Sequence, residues 1–480
     1  MPSFFDHSET LGVLHGFNPW WTERPFPVPK FRRLAYKACR SYLDNTSLHR
    51  AILLSGPRRV GKTVLLQQLA AALLQEGRPA RSIIYLSLDH PLLKLLSLRE
   101  TLRMYHQDIH PEGEPAFLLL DEIQYSREWE TEIKLLVDHH PRYRIVATGS
   151  ASVVHREKLA ESGVGRWVTV PVPTLSFYEF TCIRDEPVPV LDAQMRPSSL
   201  FGLKDTDFAE IALKMRPLQP LFNRYLLVGG FPETARQDDI ALCQRLLRED
   251  VVERVLKRDM TALFGVRNIN DLEKLFIYLC LHTSGILAHA VVAKELGTTP
   301  ITVGNHLALL EQANLVYRLP PVQAGGKKAL KARNKYYLVD AALRNAVLLR
   351  GEEILTNFDE MGLIVETTVL RHLFAYYYRD TPEIAYWRDT ATGQEVDIII
   401  RSPAYHFPFE VKFKEKAALE NNSGLVRYCA AGNISQAYLV TKQDTHFNIS
   451  TPPGSSTQFL KIPAHILCYL LGQAERLLWK

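Results

Sequence analysis

The sequence predicts an α/β protein whose first core is a doubly wound parallel sheet, and three observations predict it. An apolar strand, Ala51-Ile52-Leu53-Leu54-Ser55, runs into Gly56-Pro57-Arg58-Arg59-Val60-Gly61-Lys62-Thr63 and then into Val64-Leu65-Leu66-Gln67-Gln68-Leu69, whose leucines recur at helical spacing through Leu73. Further apolar runs, Ile83-Ile84-Tyr85-Leu86, Phe117-Leu118-Leu119-Leu120 and Arg144-Ile145-Val146-Ala147, alternate with helical stretches, the pattern of βα units. Far downstream, two more apolar strands carry Asp397 and then Glu410 and Lys412, which predicts a second α/β domain.

The motif at the first turn is G-x-x-x-x-G-K-[ST], and the chemistry needs these residues in this order. Gly56 and Gly61 let the backbone bend until its N–H groups face a phosphate chain, and the following helix adds its dipole. Pro57, Arg59, Val60 and Val64 complete the cradle. Lys62 is placed to reach the β- and γ-phosphates, and the Thr63 hydroxyl to ligate magnesium. Downstream, Asp121-Glu122 closes an apolar strand, as a Walker B segment requires: Asp121 to hold the magnesium through water and Glu122 to polarise the attacking water. A fourth strand ends at Thr148-Gly149-Ser150. Thr148 or Ser150 is the candidate sensor of the γ-phosphate, with a plain Thr/Ser turn as the alternative.

At 480 residues the chain is too long for one core, and about three domains are expected. Hydrophobic content of 46% and charged content of 23% are those of a soluble globular protein, and a net charge of +5 permits a polyanionic partner without requiring one. Six well-separated cysteines with no CxxC pair argue for free thiols and against a zinc site. With no basic-then-apolar leader at the start and no run of eighteen apolar residues, the protein is read as cytoplasmic, without a membrane partner.

Residues 1–48 carry Trp20-Trp21 and a proline-spaced stretch, read as an N-terminal strap that packs aromatics onto the next domain. The nucleotide core is placed at 49–180 and a proline-dotted helical lid at 181–267, with Gly229-Gly230 as a tight turn between two helices. Residues 268–340 have the pattern of a winged helix: Ala290 to Leu296, the turn Gly297-Thr298-Thr299-Pro300, then Ile301 to Asn314 and two strands. Their intervening loop holds Lys327, Lys328, Lys331, Arg333 and Lys335 with no acid. This module either sets Thr299, Thr302 and Asn305 near a groove with a basic wing on phosphates, or serves as a folding module or subunit contact with a solvated wing.

Taken together, GPRRVGKT, LLLDEIQ, Trp129 with Lys134-Leu135-Leu136, ATGSAS, Gly165-Arg166, Pro173-Thr174-Leu175-Ser176-Phe177-Tyr178-Glu179-Phe180 and Gly229-Gly230-Phe231-Pro232-Glu233 resemble the bacterial and archaeal AAA-type ATPases that carry a C-terminal nuclease-like domain. The resemblance runs from about residue 30 nearly to the end. It implies ATP with Mg2+ at the first site. It also implies a homo-oligomer, up to a hexameric ring, in which a neighbour completes the site with an arginine. Arg166 matches the family's Gly-Arg and would be the phosphate-sensing or inter-subunit arginine; Arg142 and Arg144 compete for that role, and a plain surface arginine is the alternative.

The last stretch, 341–480, is similar to the PD-(D/E)xK nuclease core, a restriction-endonuclease-like α/β domain, with Glu366 from a helix, Asp397 opening one strand, and Glu410 and Lys412 two apart on the next. Asp397 and Glu410 would hold Mg2+ or Mn2+, and Lys412 would orient the water that attacks a phosphodiester. The sequence departs from the pattern in having Val396 where the family has proline. An edge strand protected by a Glu-Lys pair is the other reading. The expected function is an ATPase motor coupled to a metal-dependent nuclease acting on nucleic acid, DNA first. The rival is an ATP-dependent switch in regulation or defence, whose nuclease-like domain binds without cutting.

Overall fold

The computed structural model describes residues 7–149, 165–189, 191–192, 194–266, 268–322, 333–420 and 422–478. Ser150, Lys327, Lys328 and Lys331, singled out above, lie outside them. The chain divides into two compact units, the first ending at Pro173 and the second beginning at Thr174.

The first unit is built on five strands: β1 (Ala51–Ser55), β2 (Ile83–Ser87), β3 (Ala116–Asp121), β4 (Tyr143–Gly149) and β5 (Trp167–Pro171). All pair in parallel in the order β2-β3-β4-β1-β5, so the expected parallel sheet is present. β1 to β4 are buried on both faces, which is why they read as apolar runs, whereas β5 at the sheet edge buries only Val170. The helix Lys62–Gln75 lays Leu65, Leu66, Leu69 and Leu73 into this core. Trp20 and Trp21, on a short helical turn, each donate Nε1–H to the Ile83 carbonyl at 3.0 Å, so two large side chains close the β2 edge with their polar atoms satisfied.

The second unit holds two sheets. A small antiparallel one combines β6 (Gly285–Ile286), β7 (Val316–Leu319) and β8 (Lys335–Leu338) in the order β6-β8-β7. The larger one contains β9 (Glu383–Arg388), β10 (Glu395–Arg401), β11 (His406–Lys412), β12 (Gln436–Thr441), β13 (Asn448–Ser450) and β14 (Gln458–Pro463), in the order β13-β14-β12-β11-β10-β9. β9, β10 and β11 form an antiparallel meander, whereas β11, β12 and β14 run parallel. The helices Phe358–Tyr377 and Ala464–Glu475 are buried along most of their length and contribute the core. Helices His289–Leu296 and Pro300–Gln312 are joined through Gly297, whose φ of 69° is the left-handed cap that a glycine adopts without strain.

Two motifs separated in sequence meet at the start of this unit. Gly230 N donates to Asp340 Oδ2 at 2.9 Å, Leu175 N donates to the Gly230 carbonyl at 2.5 Å, and buried Arg371 donates to the Thr174 carbonyl. A Cβ on Gly230 would lie 2.4 Å from the Leu175 oxygen, so only glycine permits the approach. Among the described residues no helix is long and apolar enough to cross a membrane.

Candidate nucleotide and carboxylate sites

Strand register brings the first site together. Leu54 pairs with Thr148 and Leu120 with Ala147, so the carboxyl ends of β1, β3 and β4 present the glycine loop, Asp121 and Thr148 side by side. The loop turns through Arg59 at φ 63° and Gly61 at φ 91°, after which the helix starts at Lys62. Gly56 cannot carry a side chain, because its Cβ would lie 2.1 Å from the Val172 carbonyl. Lys62 Nζ donates to the carbonyls of Gly56 at 2.8 Å and Pro57 at 2.7 Å, folded back over its own loop.

Asp121 is the hub. Its Oδ2 accepts from Thr63 Oγ1 at 2.7 Å and from the Tyr85 hydroxyl at 2.9 Å, while Oδ1 accepts from Thr148 Oγ1. Burial raises the Asp121 carboxyl above its ordinary range; the bond from Thr148 opposes this, the Glu122 charge adds to it, and the Thr63 and Tyr85 bonds oppose it further. Glu122 takes φ 54°, donates its N–H to Thr148 Oγ1 at 3.0 Å and accepts from Gln124 Nε2. Arg33 donates to the Val60 carbonyl at 2.6 Å and the Pro173 carbonyl at 2.8 Å, so the N-terminal strap clamps the loop.

Arg166 stands apart from the loop of its own chain. Its neighbour Trp167 pairs with Ala51, the first residue of β1, and its carbonyl accepts from Ala51 N at 2.9 Å. It therefore sits at the amino end of the sheet, about 15 Å of strand from the phosphate loop, and its guanidinium is paired with Asp138 at 3.1 Å. Arg142 and Arg144 flank the start of β4 at the same end.

The second unit gathers acids around Lys335, which the sequence places in a basic loop read either as a wing on phosphates or as solvated. Ile398 opposite Phe409 puts Asp397 level with Glu410 across β10 and β11. Asp397 Oδ2 accepts from Val411 N at 2.8 Å, and Glu410 Oε1 pairs with Lys412 Nζ at 3.2 Å. Lys335 instead opens β8 with a side chain 2% exposed; its Nζ lies 3.3 Å from Glu366 Oε1 and 3.5 Å from Asp397 Oδ1, and pairs with Glu395 Oε1. Tyr337, two residues on and so on the same face, donates to Glu366 Oε1 at 2.7 Å. Burial works against the Lys335 ammonium, but Glu366, Tyr337, Asp397 and Glu395 more than offset it and hold its pKa well above the ordinary lysine range. Glu366 moves up too, through burial and the Asp397 charge, with Lys335 opposing. Burial and the Asp397 charge likewise raise Glu410, against Lys412 and the nearby Leu425 N–H, which is not within bonding geometry of Oε2.

Among the described residues no three acids, histidines or cysteines form a ready-made cation site. Glu410 Oε2 is nonetheless buried with no hydrogen-bond partner among them, beside Asp397, and a carboxylate pair with a free oxygen is a donor set that a hard divalent cation fits. Tyr85, Arg33, Glu395 and Tyr337 were missed because each looks like ordinary strand or strap chemistry. Lys335 was missed because a lysine beside a basic run reads as solvated.

The fold and the first site define the class: residues 48–181 match the family model described as an AAA domain, the type of P-loop ATPases. Residues 219–353 and 361–464 match two models each described as a domain of unknown function, DUF8612 and DUF4143. An uncharacterised protein of Haemophilus influenzae is 26% identical over 299 residues, spanning 61% of this chain and 68% of that protein. One from Methanocaldococcus jannaschii is 26% identical over 310 residues, 62% of each chain. Among solved structures, the RuvB Holliday junction branch migration motor of Thermotoga maritima is 17% identical, covering 62% of this chain and 92% of that one at a TM-score of 0.26. AMPPCP-bound DnaA from Aquifex aeolicus is 18% identical with the same coverages at 0.27. TM-scores this low establish no shared overall fold.

Proposed function

We propose that the protein hydrolyses ATP with magnesium at the glycine loop and uses the cycle to act on nucleic acid through a PD-(D/E)xK-type centre in its second unit. The observation that carries the first half is the bond from Thr63 to Asp121, which joins the hydroxyl and the carboxylate that magnesium needs at one point. ATP supplies the phosphoanhydride, and the metal neutralises its developing charge. The N–H groups from Gly56 to Thr63 would hold the phosphates, and Lys62 would exchange its two carbonyl partners for phosphate oxygens. Thr63 and Asp121 would hold the metal. Glu122 would accept the proton of the attacking water, with Gln124 steadying its carboxylate and Thr148 fixing its main chain. Arg166, far from its own loop, is suited to completing a neighbour's site in a homo-oligomer.

The second half rests on Asp397 and Glu410 standing level, the free Glu410 oxygen, and Lys412 on the same strand. These residues would hold Mg2+ or Mn2+, with Lys412 orienting a water toward a phosphodiester. The helix pair at Gly297 beside the small sheet is read as a winged helix that grips DNA. One observation favours the rival, a nuclease-like domain that binds without cutting: Lys335 already neutralises the carboxylates. The test incubates the purified protein with ATP, several DNA forms and Mg2+ or Mn2+. ATP turnover together with metal-dependent cleavage is expected. Turnover without cleavage of any DNA favours the rival, and absence of turnover overturns the ATPase assignment.

A further inference from the structure

We propose that Lys335 is the built-in counter-ion of the C-terminal carboxylate site, so that a divalent cation binding at Asp397 and Glu410 does so in competition with its ammonium group. This rests on the metal-centre reading above and deepens it.

An ammonium has three N–H donors, and Lys335 faces three carboxylates: Glu366 Oε1 at 3.3 Å, Glu395 Oε1, and Asp397 Oδ1 at 3.5 Å. Three carboxylates thus surround one ammonium, and with the side chain 2% exposed little water screens the charge. Both Asp397 oxygens already have a partner. Oδ2 takes the Val411 N–H and Oδ1 faces Lys335, so a cation that takes Asp397 meets the ammonium on the same carboxylate. Glu410 differs: its pairing with Lys412 leaves Oε2 buried without a hydrogen-bond partner among the described residues. The site is therefore half occupied by a charge of the protein's own. That charge comes from β8 of the small sheet, where Tyr337 grips the same Glu366 oxygen at 2.7 Å. A unit charge about 5 Å from a dication, at an effective dielectric constant of about 20, weakens cation binding by at least about tenfold.

The experiment measures Mn2+ binding to the full chain through loss of the free-ion EPR signal, together with the rise in melting temperature that Mn2+ causes. Wild type, Lys335→Gln, Lys335→Met and Lys335→Arg are compared, each with and without Asp397→Asn. The two neutral variants are expected to bind Mn2+ at least about tenfold more tightly at the Asp397-dependent site, and Lys335→Arg to bind like wild type. A neutral variant that is unfolded without metal is expected to fold when Mn2+ is added, and failure to do so overturns the proposal. Equal or weaker binding in the neutral variants, with wild type binding at Asp397, also overturns it and leaves the metal centre standing. If no form binds Mn2+ in an Asp397-dependent way, the metal-centre reading falls first and this inference with it.

Discussion

Asp121 is held by three hydroxyls, from Thr63, Tyr85 and Thr148, and this determines which of its oxygens can turn toward a metal. Two of the three donors were legible in the sequence, because the loop motif and the strand-tip threonine announce themselves by position. Tyr85 was not, since a tyrosine inside Ile83-Ile84-Tyr85-Leu86 looks like core. Burial and the Asp121 charge hold its hydroxyl protonated and therefore donating. Tyr85→Phe removes one bond to a buried carboxylate, a loss of about 1.5–3 kcal/mol. Its ATP turnover number is expected to fall at least about tenfold while the apparent ATP affinity changes little, which steady-state kinetics will check; an unaltered turnover number would remove Tyr85 from the site.

At the scale of elements, the second unit is pinned where the Thr174-Leu175 segment, the Gly229-Gly230 turn, Asp340 and Arg371 converge. The turn itself could be read from its two glycines, but not what it touches, because Asp340 is 110 residues away. Gly230→Ala would drive a Cβ to 2.4 Å from the Leu175 oxygen and is expected to cost about 2–4 kcal/mol in urea unfolding. Gly362→Ala, on the helix Phe358–Tyr377 with nothing within 4 Å of the new Cβ, should instead stabilise by about 0.5–1 kcal/mol. The same limit explains the sheets. Parallel order in the first followed from βα alternation, whereas the contact of β8 with the carboxylates depends on a long-range approach that no local pattern encodes.

For the whole molecule, acid is expected to act through the second unit. His372 Nε2 accepts from Phe177 N at 2.8 Å and so must be neutral; burial, then the Arg371 charge, depress its pKa well below the ordinary histidine value. Burial pushes His465 down to about 4, although Asp444 Oδ1 lies 3.5 Å from its Nε2. Because both folded values lie below 6.5, the unfolded chain binds more protons between about 4 and 6.5, and the stability these groups supply is intact above that window and lost as pH falls through it. His465 alone accounts for up to about 3 kcal/mol, from its shift at 1.36 kcal/mol per pH unit. Chemical denaturation at pH 7.5 and 5 measures the loss, and His465→Gln should reduce it.

The central claim is that two separate phosphate chemistries reside in one chain, and it is tested most directly by assaying ATP turnover and metal-dependent DNA cleavage on two variants. Lys62→Ala is expected to lose turnover, and Asp397→Ala to lose cleavage while hydrolysing ATP like wild type. Cleavage by Asp397→Ala at the wild-type rate, or ATP turnover by Lys62→Ala at the wild-type rate, would contradict the account.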